Sequence, residues 1–222
     1  MENLLSQTTR NGKLIVFEGI SGCGKSSQLV LLNKHLEKDG FQVICSSWNS
    51  DPTVSEIISY CKRSRAFTPI TWSILHAVDF AKRYVEIVLP ALDKGMVVLL
   101  DRYIYTSIAR DSTRGIAQSY IQKLYEYAVK PDGIIYIRTP VEVAFHRRLD
   151  RYNKLAFYSS GGDVFGADNL ENSWKLYNEA ISARYDECFS KACLNILQID
   201  GTESFDEIAG KIYAFAINTI RM

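Results

Sequence analysis

The chain has 222 residues, enough for one α/β domain with a well-filled core. Hydrophobic residues make up 47% of it and charged residues 23%, as is usual in globular proteins. The formal net charge is only +1, so no overall field attracts nucleic acid or an anionic membrane, and binding of a polyanion requires a local cluster of cations.

Apolar runs and helical spacings divide the first half of the chain into alternating strands and helices. The pattern predicts a polar tail over residues 1–12, strands over 14–17 and 41–45, a helix over 26–38, and a long amphipathic helix over 70–92 that is interrupted or ended near Pro90. Gly40 ends the first of these helices, since glycine commonly follows the last helical turn.

The second half continues the same alternation. The pattern predicts strands over residues 96–100, 133–137 and 194–199, helices over 116–129, 139–152, 172–190 and 204–219, and a polar, glycine-bearing stretch over 159–169. Strands that are apolar throughout and alternate with helices indicate an α/β protein with a doubly wound parallel sheet and helices on both faces. Because there is no repeat and no linker-like composition, residues 1–222 are predicted to form a single domain.

A glycine-rich turn stands between the first predicted strand and the first predicted helix. Its residues are Gly19, Ile20, Ser21, Gly22, Cys23, Gly24, Lys25 and Ser26, followed by Ser27, and they match the pattern G-x-x-x-x-G-K-[ST] in full. Glycines let backbone N–H groups approach phosphate oxygens, and the positive end of the following helix points at the same anion. Lys25 is placed to reach the β- and γ-phosphates of a nucleoside triphosphate, and the Ser26 hydroxyl to bind Mg²⁺. The turn therefore predicts a P-loop phosphotransferase.

A carboxylate and a guanidinium follow the third predicted strand. Asp101 stands at the end of that buried strand, which is where ligands bind in open α/β sheets. In a P-loop enzyme such a carboxylate holds Mg²⁺, directly or through water. Arg102 beside it can bridge phosphates, because a guanidinium donates two parallel hydrogen bonds to one phosphoryl group.

A cluster of cations follows the fourth predicted strand. Arg147, Arg148, Arg151 and Lys154 lie within eight residues and precede the glycine-bearing stretch. Such a group can surround a transferring γ-phosphoryl as its charge spreads, and a mobile lid is its natural carrier. A solvated helix face is the competing interpretation. We expect a basic lid over about residues 147–170.

Together the motifs resemble the thymidylate kinase family over most of the chain. The resemblance rests on residues 17–20 (FEGI) and 25–28 (KSSQ), on the DRY triplet at 101–103 after an apolar strand, on Ser107 and Ala109 at the family's spacing, and on residues 199–201 (IDG), which resemble the loop near adenine. Arg83 matches the family's base-contacting arginine, and Arg147 and Arg151 match the start of its lid. The resemblance implies transfer of the ATP γ-phosphate, with Mg²⁺, to a deoxynucleoside monophosphate, dTMP first among them. It also implies a homodimer formed through packed helices.

The acceptor side departs from that family at several positions. Ser21 stands where the family usually has an acidic residue that contacts the sugar, and residues 46–50 (SSWNS) replace an arginine–glutamate–proline segment. Asp79 replaces a phenylalanine that stacks on thymine, and residues 110–111 (RD) stand where the family has an aromatic residue. Trp48 offers a replacement stacking surface, with an ordinary core or surface tryptophan as the competing interpretation. Because an aspartate cannot stack on a base, the identity of the acceptor is left open.

These observations assign roles to the candidate site residues. Lys25, Arg102, Arg147 and Arg151 act on the transferring phosphoryl group, Ser26 and Asp101 hold Mg²⁺, and the acceptor site comprises Glu18, Trp48, Asp79, Arg83, Arg102, Ser107, Arg110 and Asp111. A monophosphate acceptor needs cations, whereas a nucleoside needs a base, for which Glu18 and Asp111 are the candidates. The alternatives are a kinase of another nucleotide, a nucleoside or another phosphate ester, and a nucleotide-binding module without kinase activity.

The cysteines and apolar runs indicate the compartment. Cys23, Cys45, Cys61, Cys188 and Cys193 form no CxxC pair, and an odd number of scattered cysteines fits free thiols in a reducing compartment. No apolar run approaches the about 18 residues of a membrane span, and the N-terminus lacks the apolar stretch of a signal peptide. We therefore expect a soluble cytoplasmic protein that acts on nucleotides, without membrane or nucleic-acid partners.

Overall fold

Five parallel strands form one sheet at the centre of the computed structural model, which describes residues 10–190 and 194–222. The strands are β1 (Lys13–Glu18), β2 (Val43–Ser47), β3 (Val97–Asp101), β4 (Gly133–Arg138) and β5 (Ile196–Asp200), in the order β2-β3-β1-β4-β5. Each neighbouring pair is parallel, so the chain must cross from one end of the sheet to the other between strands. The predicted doubly wound parallel sheet is confirmed. Most of the predicted polar tail and Cys193 lie outside the described residues.

Helices on both sides of the sheet supply those crossings. They are α1 (Lys25–Lys38), α2 (Pro52–Arg63), α3 (Pro69–Arg83) with a π-helical turn (Tyr84–Val88), α4 (Leu89–Asp93), α5 (Ile104–Thr113), α6 (Gln118–Leu124), α7 (Val141–Tyr152), a 3₁₀ turn (Tyr158–Ser160), α8 (Gly162–Phe165), α9 (Leu170–Ser190) and α10 (Phe205–Arg221). None of the helices in the described residues is both long and apolar enough to cross a membrane.

The central strands carry the core. Residues 14–17 of β1 and 134–135 of β4 have no exposed area, and residues 97–100 of β3 are nearly as buried. These runs are apolar without alternation because helices cover both faces of the sheet. Tyr177 and Tyr185 of α9 complete the core beside the strands.

The carboxyl ends of β1, β2 and β3 meet at one edge of the sheet. Phe17 and Ser47 both pair with Asp101 in the parallel register, so the loops after the three strands start side by side. Strands β2 and β3 lie on one side of β1, and β4 and β5 lie on the other, so the chain switches sides at β1. Open α/β sheets bind ligands at such a switch point. The fold therefore brings residues from three separate loops to one place.

The helix predicted over 70–92 is confirmed, together with its interruption near Pro90: it comprises α3, the π-helical turn and α4. Pro90 has no N–H, and its ring crowds the preceding turn. Other predicted boundaries are wrong. The helix predicted over 116–129 is confined to Gln118–Leu124, and β2 lies two residues later than predicted. The stretch over 159–169 contains the 3₁₀ turn and α8, which the sequence pattern did not indicate. Helices α2 and α5 were also missed.

Candidate active site

The glycine-rich loop between β1 and α1 has a backbone that only glycine adopts readily. Gly19, Gly22 and Gly24 have φ angles of 141°, 84° and 101°. A Cβ at Gly22 would lie 2.1 Å from the carbonyl oxygen of Ala144, so the loop also packs closely on α7. This packing fixes the loop at the N-terminus of α1, where backbone N–H groups and the helix dipole attract phosphate.

Lys25 is buried at the first turn of α1. Its ammonium group donates to the carbonyl oxygens of Gly19 at 3.1 Å and Ile20 at 2.8 Å, and it lies 3.3 Å from the Cys23 sulfur. Burial lowers the pKa of Lys25, and the nearby guanidinium of Arg102 adds to this effect. The contacts hold the lysine against the loop on which phosphate groups bind in P-loop proteins.

Ser26 and Asp101 bring two oxygens together across the sheet edge. The Ser26 hydroxyl donates to Asp101 Oδ2 at 2.5 Å. Hydroxyl and carboxylate oxygens are ligands that Mg²⁺ prefers, so the pair fits this ion. Within the described residues, no group of three or more His, Cys, Asp or Glu side chains is placed to hold a metal. Further ligands would have to come from substrate phosphates and water, as is usual for Mg²⁺.

Arg102 lies between the glycine-rich loop and α5. Its φ angle is 80°, and its backbone N–H donates to the Phe17 carbonyl at 3.0 Å. One guanidinium nitrogen donates to the Gly19 carbonyl at 3.0 Å and to the Thr106 hydroxyl at 3.2 Å. The left-handed backbone is uncommon for arginine and lets the side chain turn back over the loop.

Glu18 is fully buried beneath Arg102. Its carboxylate accepts hydrogen bonds from the Tyr103 N–H at 2.8 Å, the Thr106 hydroxyl at 2.6 Å and the Tyr185 hydroxyl at 2.8 Å. Burial raises the pKa of Glu18 despite these three donors. In this arrangement the carboxylate ties β1 to α5 and α9 and organises the backbone that carries Arg102.

The phosphate-directed residues enclose a cavity of about 340 Å³. Its lining comprises Ser21, Gly22, Gly24, Lys25, Ser26, Ser27, Asp101, Arg102, Arg147, Arg148, Arg151 and Tyr152. The Arg147 guanidinium donates to the Gly201 carbonyl at 2.8 Å, which ties α7 to the loop after β5. Arg148 lies over the Tyr152 ring, 4.1 Å from its centroid. The structure thus brings three of the four predicted lid cations to the glycine-rich loop, while Lys154 is not part of this lining.

Asp79 and Arg83 form a buried ion pair on α3. The Arg83 Nε donates to Asp79 Oδ2 at 2.9 Å, and another guanidinium nitrogen donates to the Ser46 hydroxyl at 3.1 Å. The same carboxylate accepts from the backbone N–H groups of Asn49 at 2.9 Å and Asp51 at 3.1 Å. Both oxygens of Asp79 are therefore engaged in holding the loop after β2.

Ser107 and Asp111 lie on the other wall, on α5. Asp111 accepts from the Ser73 hydroxyl at 2.8 Å and from the Ser107 hydroxyl at 3.1 Å, and Ser107 also contacts the Tyr125 hydroxyl at 2.8 Å. Burial raises the pKa of Asp111 to about 6, in spite of these hydrogen bonds and the nearby Arg114. This network joins α3 to α5 and leaves the Asp111 carboxyl largely enclosed.

Trp48 lies between these two networks. Its ring stacks on His76 at 6.3 Å between centroids and contacts Phe80 and Tyr125 at 6.0 and 6.4 Å. Burial lowers the pKa of His76 to about 3, so this imidazole is neutral at physiological pH. The residues predicted for the acceptor are thus brought together by α3, α5 and the loop after β2, with aromatic rings between the charged networks.

Arg114 is a buried arginine that the sequence pattern did not single out. Its guanidinium pairs with Asp163 at 2.8 Å, donates to the Tyr158 carbonyl at 2.9 Å and hydrogen-bonds the Tyr177 hydroxyl. It also lies 4.2 Å from the centre of the Trp72 ring. Nothing in the spacing of Arg114 distinguishes it from a solvated cation after α5. Only the tertiary structure identifies these contacts, which we call the Arg114 junction.

The fold and the phosphate cavity define a nucleotide kinase of the P-loop class. A parallel sheet presents a glycine-rich loop, a lysine and a strand-end aspartate at one edge, and basic residues from a following helix face them. This arrangement fits ATP as the phosphoryl donor.

Comparisons with known proteins agree with this class. The family model described as thymidylate kinase matches residues 17–212, and the chain belongs to the thymidylate kinase family. It is 38% identical over 197 residues to the probable thymidylate kinase 2 of Saccharolobus solfataricus, covering 89% of this chain and 92% of that protein. It is 36% identical over 210 residues to the thymidylate kinase of Geotalea uraniireducens, covering 91% of this chain and 95% of that protein.

Proposed function

We propose that this protein transfers the γ-phosphate of ATP to dTMP, in the presence of Mg²⁺, and forms dTDP and ADP. The observation that carries the proposal is the pairing of an intact phosphate cavity with near full-length similarity to proteins named as thymidylate kinases. Ser26 and Asp101 would hold Mg²⁺, and the bound ion would supply positive charge at the β- and γ-phosphates.

Charge neutralisation is the main catalytic task of the protein side chains. On this proposal, Lys25 exchanges the carbonyls of Gly19 and Ile20 for phosphate oxygens of ATP. Arg102, Arg147 and Arg151 surround the transferring group, whose negative charge spreads over its outer oxygens in the transition state. The lid arginines also exclude water, which would otherwise compete with the acceptor.

A monophosphate acceptor supplies its own nucleophilic oxygen. No general base is then needed, and both carboxyl groups considered as bases have structural partners. Glu18 accepts three hydrogen bonds beneath Arg102, and Asp111 accepts two from Ser73 and Ser107. These contacts favour a monophosphate over a nucleoside as the acceptor.

Another deoxynucleoside monophosphate is the second candidate acceptor. Asp79 has no oxygen free of hydrogen bonds and presents no flat surface to a base, so stacking would have to come from Trp48 or the rings beside it. The Trp48 ring is already packed against His76 and Phe80. The base preference therefore depends on contacts that differ from the stacking found in most of the family.

We also propose that the protein forms a homodimer and works in the cytoplasm. Ile70, Ile74 and Val78 follow one another at intervals of four on α3 and are 40–47% exposed. Such an apolar stripe is a surface that a second copy can cover. The four cysteines in the described residues are free thiols, which supports a reducing compartment.

The direct test is a coupled assay of ADP formation with MgATP and a panel of nucleoside and deoxynucleoside monophosphates, with the nucleosides alongside. The proposal predicts that dTMP has the highest kcat/KM in the panel. A preference for another monophosphate would retain the kinase mechanism and change the acceptor. Binding of MgATP without turnover of any acceptor would exclude a nucleotide kinase.

A further inference from the structure

The arginines near the active site fall into two groups. In the described residues, Arg10, Arg83, Arg114, Arg138 and Arg184 each have a carboxylate within 4.0 Å. Arg102, Arg110 and Arg148 have none, although each is half-buried or more. A guanidinium removed from water without a counter-charge is unfavourable, so an enclosed arginine without a carboxylate indicates an anion that the fold itself does not provide.

Arg102 and Arg110 are linked through the first turns of α5. Arg102 precedes the helix, and its guanidinium contacts the Thr106 hydroxyl at 3.2 Å. Thr106 in turn contacts the Tyr185 hydroxyl at 2.8 Å. Arg110 lies one helical turn beyond Thr106 on α5, and its guanidinium is close enough to that of Arg102 for the two charges to repel.

The surroundings of Arg110 contain cations and hydroxyls, and its charge also acts on the neighbouring Asp111 carboxyl. Its Nε is shielded from solvent and has no hydrogen-bond partner. The groups that act on it most strongly are the guanidinium groups of Arg102 and Arg114 and the hydroxyls of Tyr177 and Tyr185. Burial lowers the pKa of Arg110 to about 10, and Arg102 contributes to this effect. An anion placed between the two guanidinium groups would reverse their mutual repulsion.

An anion beside Arg102 needs a second cation, and the loop after β2 does not contain one. Residues 46–50 read SSWNS and contain no basic side chain. Arg83, the nearest buried arginine on α3, is already paired with Asp79. Among the described residues that enclose the acceptor side, Arg110 is an arginine without a carboxylate within 4.0 Å.

We propose that Arg110 binds the phosphate of the acceptor together with Arg102. This inference rests on the proposed kinase function and deepens it, because it assigns recognition of the acceptor phosphate to the position after Ala109. A phosphate monoester carries about −1.5 to −2 charges at neutral pH and has three acceptor oxygens. Two guanidinium groups match both its charge and its geometry.

The test compares ligands with and without the phosphate. Dissociation constants for dTMP and thymidine are measured by calorimetry on the wild type and on the Arg110→Gln and Arg110→Lys variants. We expect Arg110→Gln to weaken dTMP binding about 10- to 100-fold, as expected for loss of a charge-assisted contact, and to leave thymidine binding within about twofold. The dTMP affinity of Arg110→Lys should lie between those of the wild type and Arg110→Gln, because lysine keeps the charge and loses the paired donors.

Two further measurements make the outcome decisive. Inorganic phosphate should compete with dTMP in the wild type and compete more weakly in Arg110→Gln. The KM for MgATP should stay unchanged, since Arg110 is not part of the lining of the triphosphate cavity. Arg63→Gln, at an exposed position on α2, is the control for loss of one positive charge.

Several results would overturn the inference. Equal weakening of dTMP and thymidine would place Arg110 at the base or the sugar, or in the fold alone. No weakening of either ligand would remove it from the acceptor site. If the wild type prefers another monophosphate, dTMP is wrong as the acceptor, and the same comparison with that monophosphate and its nucleoside still decides the role of Arg110. A wild type that phosphorylates only nucleosides contradicts both proposals.

Discussion

Asp101 occupies the point at which the sheet meets the phosphate cavity. Its contact with Ser26 joins the end of β3 to the first turn of α1, so one hydrogen bond sets the distance between the two oxygens proposed to bind Mg²⁺. The strands fix this arrangement, because Asp101 is in register with Phe17 of β1 and Ser47 of β2. A side chain held in this way needs little reorganisation to receive an ion.

We predict that Asp101→Asn lowers kcat by about 100-fold or more and raises the Mg²⁺ concentration needed for half-maximal activity. Asparagine can still accept the Ser26 hydrogen bond, so the variant removes charge while it keeps shape. The measurement is a Mg²⁺ titration of the initial rate at saturating ATP, with Asp93→Asn as an exposed control. An unchanged Mg²⁺ dependence would show that this carboxylate does not bind the ion.

Asp111 makes the stability of the protein depend on pH. Its pKa is raised from 3.8 to about 6 in the folded state, so between these values the folded protein holds a proton that the unfolded chain has lost. Ionisation of this buried group therefore costs stability as pH rises through 4 to 6. A difference of about two pKa units corresponds to about 3 kcal/mol.

We predict that Asp111→Asn gains up to about 3 kcal/mol in free energy of unfolding over the wild type when the pH rises from 4 to 7. Asparagine keeps a carbonyl oxygen to accept from Ser73 or Ser107 and carries no charge to bury. Urea unfolding at both pH values measures the difference in free energy of unfolding between the variant and the wild type. Asp168→Asn in an exposed loop controls for the loss of a carboxylate. A difference that is the same at pH 4 and pH 7 would contradict the raised pKa.

At the scale of elements, the predicted lid consists of two parts with different anchoring. The end of α7 carries Arg147 and Arg151 beside the phosphate cavity. The segment from Tyr158 to α8 is instead fastened to the body of the protein by Arg114. Asn153, between these two parts, has a left-handed φ of 47° and ends α7.

We predict that Arg114→Met lowers the free energy of unfolding by about 3 kcal/mol, because it leaves Asp163 and the Tyr177 hydroxyl without their partner. The measurement is urea unfolding monitored by circular dichroism. Lys123→Met breaks an exposed pair with Glu126 and should cost less than about 1 kcal/mol. Equal effects of the two substitutions would mean that the Arg114 junction adds no more than a surface pair.

The sequence predicted the elements whose physical signal is local. The apolar runs of β1, β3 and β4 and the glycine-rich loop need only periodicity and motif to be found. Helix α5 was missed because residues 104–113 (IYTSIARDST) have few regularly spaced apolar side chains, and half of their buried residues are polar. Helix α2 had a usable signal, since Asp51 caps it by accepting from the Val54 N–H at 3.0 Å and Pro52 opens its first turn.

The candidate site was predictable only as far as the phosphates. The residues proposed to bind ATP are adjacent in sequence or end a strand, whereas those proposed to bind the acceptor come from α3, α5 and the loop after β2. Their partners depend on tertiary contacts: no sequence pattern indicates that both oxygens of Asp79 hold the backbone of residues 49–51. The position of Glu18 at the end of a strand does suggest that it organises a nearby arginine, but its link to Arg102 through Thr106 is seen only in the fold.

At the scale of the whole molecule, α3 connects the acceptor site to the proposed dimer surface. One side of the helix carries the buried pair Asp79 and Arg83, and another carries the exposed residues Ile74 and Val78. A partner that covers the exposed side would restrict movement of α3 and so hold Arg83 and the loop after β2 in place. Assembly and acceptor binding would then be coupled through one rigid helix.

We predict that the double substitution Ile74→Lys and Val78→Lys converts a homodimer to a monomer, because two buried charges at an apolar contact are unfavourable. Light scattering after size exclusion measures the mass of the wild type and the variant. The matched control is Val30→Lys on α1, where Val30 is 52% exposed and lies outside the stripe.

If α3 couples the two surfaces, loss of the dimer should raise the KM for the acceptor above its wild-type value. The KM for MgATP should change less. A wild type that is already monomeric would exclude the dimer, and a monomeric variant with unchanged KM values would separate assembly from acceptor binding.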